Sequence, residues 1–172
     1  MGQYYKPISI DKMNFVNSWD YENGLKLMEH SYIGNNFINT VESLLASNGE
    51  WYKNRIVWAG DYADRETNSK DNLYTQVDEN SIKPEDMKKK ESGKYIVNHT
   101  KKEYVDKDYL PIHPEGWQVH PLPLLTCEGN GRGGGDYTRN NRYIGSWARN
   151  QISIEKQKPE DFKEIIPLFM ME

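Results

Sequence analysis

The amino-acid sequence predicts an α+β domain in which a small mixed or antiparallel sheet packs against one or two helices. Three observations favour this class. Residues 37–45 carry apolar side chains at helical spacing, short runs of β-forming residues flank this segment, and strands and helices do not alternate as they do in parallel α/β proteins. The length of 172 residues fits one domain spanning residues 1–172.

The clearest elements lie in the first 60 residues. Residues 4–10 are rich in β-forming side chains and predict a first strand. The apolar side chains of residues 37–45 fall on one helical face, with Asn36 as a cap and residues 48–49 as a left-handed end. The short apolar run at residues 55–59 predicts a buried strand.

The rest of the chain predicts further strands around a polar segment. Residues 65–94 contain few large apolar side chains, and we expect a solvated insertion within the domain. Residues 95–97 and 103–105 predict a β-hairpin. Other predicted elements are a helix with Leu25, Met28 and Tyr32 on one face, strands at residues 117–120 and 146–154, and a short helix at residues 161–166.

Composition excludes several classes of protein. The mean hydropathy is −0.92, and no apolar run approaches the roughly 18 residues of a membrane helix. A single cysteine, Cys127, excludes an intramolecular disulfide framework and a cysteine-rich zinc site. A formal net charge of −4 makes nucleic acid a disfavoured partner. Together with an N-terminus unlike a signal peptide, these features predict a cytoplasmic protein.

Five of the 13 glycines fall between Gly129 and Gly135. Ordering clustered glycines is entropically costly, so we expect their backbone amides to approach an anionic ligand closely, with Arg132 as a bidentate partner. A flexible surface loop and a partner-binding loop are the alternatives. Pro121 and Pro123 predict an extended path at the sheet edge before this segment. The candidate ligand-binding residues here are Glu128, Gly129, Asn130, Gly131, Arg132, Gly133, Gly134, Gly135, Asp136 and Tyr137.

The glycine pattern does not fit the two common phosphate-binding motifs. Residues 129–134 match the spacing of a dinucleotide-binding loop, but residues 136–142 lack the apolar face of the helix that must follow. No Gly-Lys-Ser or Gly-Lys-Thr sequence follows, which excludes a P-loop.

A second candidate cluster follows the strand at residues 55–59. Asp61 and Asp64 stand where functional acids often lie, although we favour an Asp-rich turn whose side chains cap local amides. Tyr62, Tyr137 and Trp147 are candidates to stack on a nucleotide base, and His120 is a further candidate ligand contact. A divalent cation is an open possibility for a cofactor, and its candidate ligands are Asp61, Asp64, Glu128 and Asp136.

Four stretches together resemble a family of small proteins of bacteria and their phages. They are Asn-Gly-Leu-Lys-Leu-Met-Glu-His-Ser at residues 23–31, Trp-Ala-Gly-Asp-Tyr-Ala-Asp at 58–64, Leu-Pro-Leu-Leu-Thr-Cys-Glu-Gly-Asn-Gly-Arg-Gly-Gly-Gly-Asp-Tyr at 122–137, and Gly-Ser-Trp-Ala-Arg at 145–149. The resemblance covers most of the chain outside residues 65–110. It implies no particular activity, and the phage association implies an accessory or counter-defence role.

We therefore expect a small cytosolic binding protein that holds an anionic, nucleotide-like ligand through the glycine-rich segment. One alternative is a metal-dependent phosphoester hydrolase. Another is a protein–protein inhibitor of a host defence enzyme. The apolar residues 168–171 leave a homo-oligomer open as well.

Overall fold

The structure is a computed structural model that describes residues 3–87, 90–129 and 141–169. An eight-stranded mixed sheet, with four α-helices and short 3-10 turns, confirms the α+β class. The strands are β1 (Tyr5–Ser9), β2 (Asn14–Phe15), β3 (Asn54–Gly60), β4 (Tyr95–Asn98), β5 (Glu103–Asp106), β6 (Cys127–Glu128), β7 (Asn150–Glu155) and β8 (Lys163–Glu164). The α-helices are α1 (Leu27–His30), α2 (Asn36–Leu45), α3 (Leu73–Gln76) and α4 (Pro121–Thr126).

The strand β3 pairs with three others, β1, β7 and β6. The order is β2-β1-β3-β7-β4-β5-β8, and β6 pairs with β3 outside this path. Most neighbours are antiparallel, whereas β3 with β6 and β5 with β8 are parallel. The predicted hairpin is confirmed, because β4 and β5 pair antiparallel with Ile96 opposite Val105.

Both faces of the sheet are covered. Ile56 and Trp58 of β3 are fully buried in the larger core, which also contains side chains of α2 and α4. Their neighbour Val57 is buried in a smaller core with Leu73 and Val77. This alternation follows from the two-residue period of a strand, and it explains why β3 reads as a continuous apolar run.

The predicted amphipathic helix is confirmed as α2. Its cap is Asn35 rather than Asn36, because the Asn35 side chain accepts a hydrogen bond from the Ile38 amide at 2.7 Å. The chain turns back beyond the helix with Asn48 at a φ of 70°. A side chain at Gly49 would collide with the Leu44 carbonyl, so only glycine fits there.

Residues 121–126 form a helix, so the extended path predicted from the two prolines is wrong. Pro121 and Pro123 stand in the first turn of α4, where a helix does not need the amide hydrogens that proline lacks. The His120 ring accepts a hydrogen bond from the Leu122 amide at 3.2 Å and caps this turn. Residues 117–120 contribute only an isolated bridge, between Val119 and Tyr32.

Two further element predictions are corrected towards the C-terminus. The helix expected at residues 161–166 is instead β8 and an extended segment, because the Ile165 amide donates to the Tyr104 carbonyl at the edge of β5. The last long strand begins at Asn150 rather than at residue 146, because residues 142–149 form turns.

Most described residues of the segment 65–94 are exposed or half-buried, but three of its apolar side chains reach the core. Leu73, Val77 and Ile82 are buried, and α3 packs on β1 and β3. The Ile82 amide also donates to the Phe15 carbonyl at 2.8 Å. This polar segment therefore supplies part of the cover for the second face of the sheet. Leu73 and Val77 are four residues apart, which is the spacing of one helical face.

Candidate functional site

The parallel pair β3 and β6 brings two predicted clusters together. Trp58 lies opposite Cys127, and Ala59 lies opposite Glu128. Because the strands run in the same direction, both end at the same edge of the sheet. There β3 ends at Gly60 and is followed by Asp61, and β6 is followed by Gly129. Ligands commonly bind beyond the carboxyl ends of parallel strands. We call this edge the β3–β6 edge.

The two glycines at the β3–β6 edge lie close to the side chains of Gln3 and Tyr5. A side chain at Gly129 would lie 2.5 Å from the Tyr5 hydroxyl and 2.6 Å from Gln3 Oε1. A side chain at Gly60 would also collide with Gln3. The N-terminal strand therefore fits tightly against the point where the glycine-rich segment begins.

The turn after β3 is held by its own polar groups. Asp61 Oδ1 accepts a hydrogen bond from the Tyr4 amide at 3.0 Å. Asn72 donates from its side chain to the carbonyls of Asp61 and Ala63, at 3.1 and 2.9 Å. Asp61 thus has the amide-capping role that an Asp-rich turn implies. The Tyr62 side chain, next along the chain, is 41% exposed and available to a ligand.

The strongest polar contact at the β3–β6 edge joins Arg149 to two carboxylates. Its guanidinium donates to Glu128 at 2.7 and 2.9 Å and to Glu66 at 2.7 and 2.7 Å. These hydrogen bonds raise the pKa of Arg149 and lower the pKa of Glu66. We call these three residues the Arg149 clamp. The clamp connects Glu128 of β6, Glu66 near the start of segment 65–94, and Arg149 just before β7.

Sequence reasoning missed two members of the Arg149 clamp. Arg149 ends the Gly-Ser-Trp-Ala-Arg stretch, which was a usable signal, but no partner for it was evident. Glu66 was assigned to a solvated insertion and therefore not considered.

The described part of the β3–β6 edge carries an excess of negative charge. Its carboxylates outnumber its guanidinium groups by four to two. Such a surface suits ligand groups that donate hydrogen bonds, such as sugar hydroxyls and base amines. An anionic part of a ligand therefore requires an arginine. The charged residues counted here are Asp61, Asp64, Glu66, Glu128, Arg65 and Arg149.

A buried lysine lies beside this edge. Lys6 Nζ is 2.7 Å from Asp78 Oδ1 and lies 4.0 and 3.9 Å from the ring centroids of Phe15 and Tyr74. Burial lowers the pKa of Lys6 despite Asp78. Burial, together with Asp61 and Asp78, raises the pKa of Tyr74 to about 12. Segment 65–94 therefore contributes Tyr74 and Asp78 to the surroundings of Asp61.

His120 lies in the core, away from the ligand contact predicted for it. Its ring is fully buried, with Nε2 2.8 Å from Glu42 Oε2. Because Nδ1 accepts from the Leu122 amide, Nε2 carries the proton and donates to Glu42. Lys107 Nζ also contacts Glu42, at 2.8 and 3.0 Å. Burial alone would raise the pKa of Glu42, but His120 and Lys107 outweigh it and lower this pKa to about 2.

Trp147 is also placed in the core. Its side chain is fully buried, and Nε1 donates to Glu103 Oε1 at 3.0 Å. A ring without exposed surface cannot stack on a ligand base, so the predicted stacking role of Trp147 is not supported by its position.

The other predicted ligand residues, Asn130, Gly131, Arg132, Gly133, Gly134, Gly135, Asp136 and Tyr137, lie outside the described residues. The proposed metal ligand Asp136 belongs to this set. Within residues 3–87, 90–129 and 141–169, no three His, Cys, Asp or Glu side chains come together as a metal site. Both carboxylate oxygens of Glu128 are bonded to Arg149.

A second concave surface is formed by other residues of the chain. A pocket of about 310 Å³ is formed by the segments 110–119 and 167–169. His113 stacks on Trp117 within it, with ring centroids 4.0 Å apart. We call this surface the apolar patch. Four large apolar side chains near it in the chain are strongly exposed, namely Tyr109, Ile112, Ile166 and Leu168.

Comparison of the chain with protein-family models, curated proteins and solved structures finds no match. In the part of the chain that the structure describes, no helix is long and apolar enough to cross a membrane.

Proposed function

We propose that this chain is a small cytoplasmic binding protein that holds an anionic, nucleotide-like ligand at the β3–β6 edge. The observation that carries the proposal is the parallel pairing of β3 with β6. It brings Asp61 and Tyr62 to the same edge at which the chain enters the glycine-rich segment.

Each part of a nucleotide has a candidate partner at this edge. Tyr62 is 41% exposed and offers an aromatic face to a base. The surrounding carboxylates accept hydrogen bonds from sugar hydroxyls. For the phosphates we propose the backbone amides of the glycine-rich segment together with Arg132.

The proposed role is sequestration without catalysis. Binding a host nucleotide signal would remove it from a defence pathway, and this counter-defence role rests on the resemblance to bacterial and phage proteins. It requires affinity and slow release, and no bond in the ligand needs to break.

The proposal is tested by calorimetry with a panel of mononucleotides, dinucleotides and cyclic dinucleotides. We expect wild-type protein to bind at least one of them and Arg132→Ala to bind it at least tenfold more weakly. Arg55→Ala is a matched control, because Arg55 is an arginine at the start of β3 whose exposed side chain pairs with Asp11. Absence of binding by the wild type, or equal losses in both variants, would refute the proposal.

The stacking contact is tested separately. Tyr62→Ser should weaken nucleotide binding by about tenfold, because base stacking contributes about 1–3 kcal/mol. Tyr109→Ser is the matched control, since Tyr109 is exposed but lies near the apolar patch. Equal affinities of Tyr62→Ser and Tyr109→Ser would show that Tyr62 does not contact the base.

A second candidate function, binding of a partner protein, is favoured by the apolar patch. Ile112, which lines the pocket, is 65% exposed. Leu168 is 52% exposed and lies between two residues that line it. Clustered exposed apolar side chains of this kind often mark protein interfaces. In the phage setting the partner would be a host defence enzyme.

This candidate is tested with Ile112→Lys against Trp19→Lys, which changes a side chain that is 69% exposed elsewhere on the surface. A host protein that binds the wild type and Trp19→Lys in purified form, but not Ile112→Lys, would support it. If no host protein distinguishes the two variants, the candidate fails.

A further inference from the structure

The charges within the Arg149 clamp do not balance. Two carboxylates share one guanidinium, so the group carries a net negative charge. The contact is also accessible, because the side chains of Arg149, Glu66 and Glu128 are 40%, 25% and 33% exposed. A ligand can therefore reach the guanidinium from solvent.

The two carboxylates bind different edges of the guanidinium. Glu128 accepts hydrogen bonds from Nε and Nη2 of Arg149, whereas Glu66 accepts hydrogen bonds from Nη1 and Nη2. The edge held by Glu66 presents two parallel N–H groups, which is the arrangement that binds a phosphate or carboxylate in a bidentate manner.

The two carboxylates also differ in how they are held. Glu128 belongs to β6 and is fixed by the pairing of that strand with β3. Glu66 lies in a turn outside the helices and strands, where its amide donates to the Asp71 carbonyl at 3.0 Å. Glu66 is therefore the partner that can leave Arg149 without disturbing the sheet.

We propose that Arg149 is an anion-binding residue of the ligand site, and that Glu66 occupies its outer edge until a phosphate-bearing ligand replaces it. This inference rests on the proposed function and adds a second arginine, within the described residues, to the binding site. Replacement keeps one anion on each edge of the guanidinium, and it releases the Glu66 carboxylate into water. The released carboxylate repels the bound anion, so Glu66 competes with the ligand for Arg149.

Two variants separate exchange from a general effect of charge. Glu66→Gln removes the competing anion from Arg149. Asp64→Asn removes the same charge two residues away, and no hydrogen bond or ion pair joins Asp64 to Arg149 among the described contacts. Inorganic pyrophosphate is the probe, titrated by calorimetry in buffer with EDTA so that no cation mediates binding.

We expect Glu66→Gln to bind pyrophosphate about fivefold more tightly than Asp64→Asn does, a ratio that corresponds to about 1 kcal/mol. Arg149→Lys, which keeps the charge and loses the two parallel donors, should bind it at least tenfold more weakly than the wild type. Circular dichroism and thermal unfolding check that each variant is folded.

Three results would overturn the inference. They are equal affinities of Glu66→Gln and Asp64→Asn, failure of Glu66→Gln to bind pyrophosphate at all, and unchanged binding by folded Arg149→Lys. If a nucleotide still binds the wild type in an Arg132-dependent manner, the proposed function stands and the role of Arg149 fails alone.

Discussion

The buried His30 should make the stability of this protein depend on pH between about 4 and 6.5. Its ring is fully buried, Nδ1 donates to the Gly24 carbonyl at 2.9 Å, and Nε2 accepts from Trp58 Nε1 at 2.9 Å. Burial lowers the pKa of His30 from 6.5 to about 4. The neutral ring is thus the form that the folded state requires.

The sign and size of the effect follow from this difference in pKa. Between pH 6.5 and 4 the unfolded chain binds a proton at His30 and the folded chain does not, so stability falls as the pH falls. Each pH unit corresponds to at most about 1.4 kcal/mol, and the loss approaches about 3 kcal/mol near pH 4. Above pH 6.5 the contribution is fully present and constant.

The test is urea unfolding followed by tryptophan fluorescence at several pH values from 4.5 to 7.5. His30→Gln is the comparison, because an amide oxygen can accept the Trp58 hydrogen bond and does not titrate. The variant should be less stable at pH 7.5, and its free energy of unfolding should fall less steeply towards pH 4.5. Equal pH slopes for the two proteins would refute the assignment of this effect to His30.

Three further predictions concern the core and the β3–β6 edge. Glu42→Gln should lower the free energy of unfolding by about 3 kcal/mol at pH 7, because it leaves Lys107 without its buried carboxylate partner. The pKa of Glu42 is lowered from 4.5 to about 2, so the wild type should lose this advantage as the pH falls from 4.5 towards 2. Thermal unfolding measures the difference, and a constant advantage across this range would contradict the prediction. Leu73→Ala should cost about 2–3 kcal/mol in urea unfolding, whereas a solvated segment would tolerate the change. Gly129→Ala should lower the melting temperature because its new methyl group meets Tyr5, and an unchanged melting temperature would show that β1 does not close this edge.

The sequence was informative wherever a local pattern and the final packing agree. Residues 37–45 predicted α2 because a long apolar face can be satisfied only by a helix against a core. The β4–β5 hairpin was predictable for a related reason, since two short β-rich runs lie close together in the chain. In both cases the interaction that determines the structure is local.

Predictions failed where distant partners decide the structure. Residues 161–166 have a helical pattern, but the open edge of β5 accepts Lys163–Glu164 as a strand. Pro121 and Pro123 were interpreted by their effect on sheets, although the same residues begin a helix equally well. The contacts of residues 65–94 with the core were not predicted, because the three buried apolar side chains of this segment are spread among many polar ones.

The candidate site shows the same division. Asp61 and Gly129 were identified as members of functional clusters from local sequence, and the β3–β6 register brings those clusters together. Their partners Glu66, Arg149 and Asn72 required long-range contacts that no local pattern reveals. His120 was predicted as a ligand contact because it precedes the glycine-rich segment in the chain. In the structure its ring instead bonds to the buried Glu42 carboxylate on α2.

Stability and binding are expected to be coupled in this protein, because one segment serves both. Residues 65–94 bury Leu73 and Val77 against the second face of the sheet. In the same segment, Asn72 binds the turn after β3 and Glu66 binds the Arg149 guanidinium. Deleting this segment would expose part of the core and also remove two polar groups from the β3–β6 edge. Loss of binding after such a deletion would therefore not identify the segment as a recognition surface. Point changes that keep the fold, such as Glu66→Gln, are needed to separate the two roles.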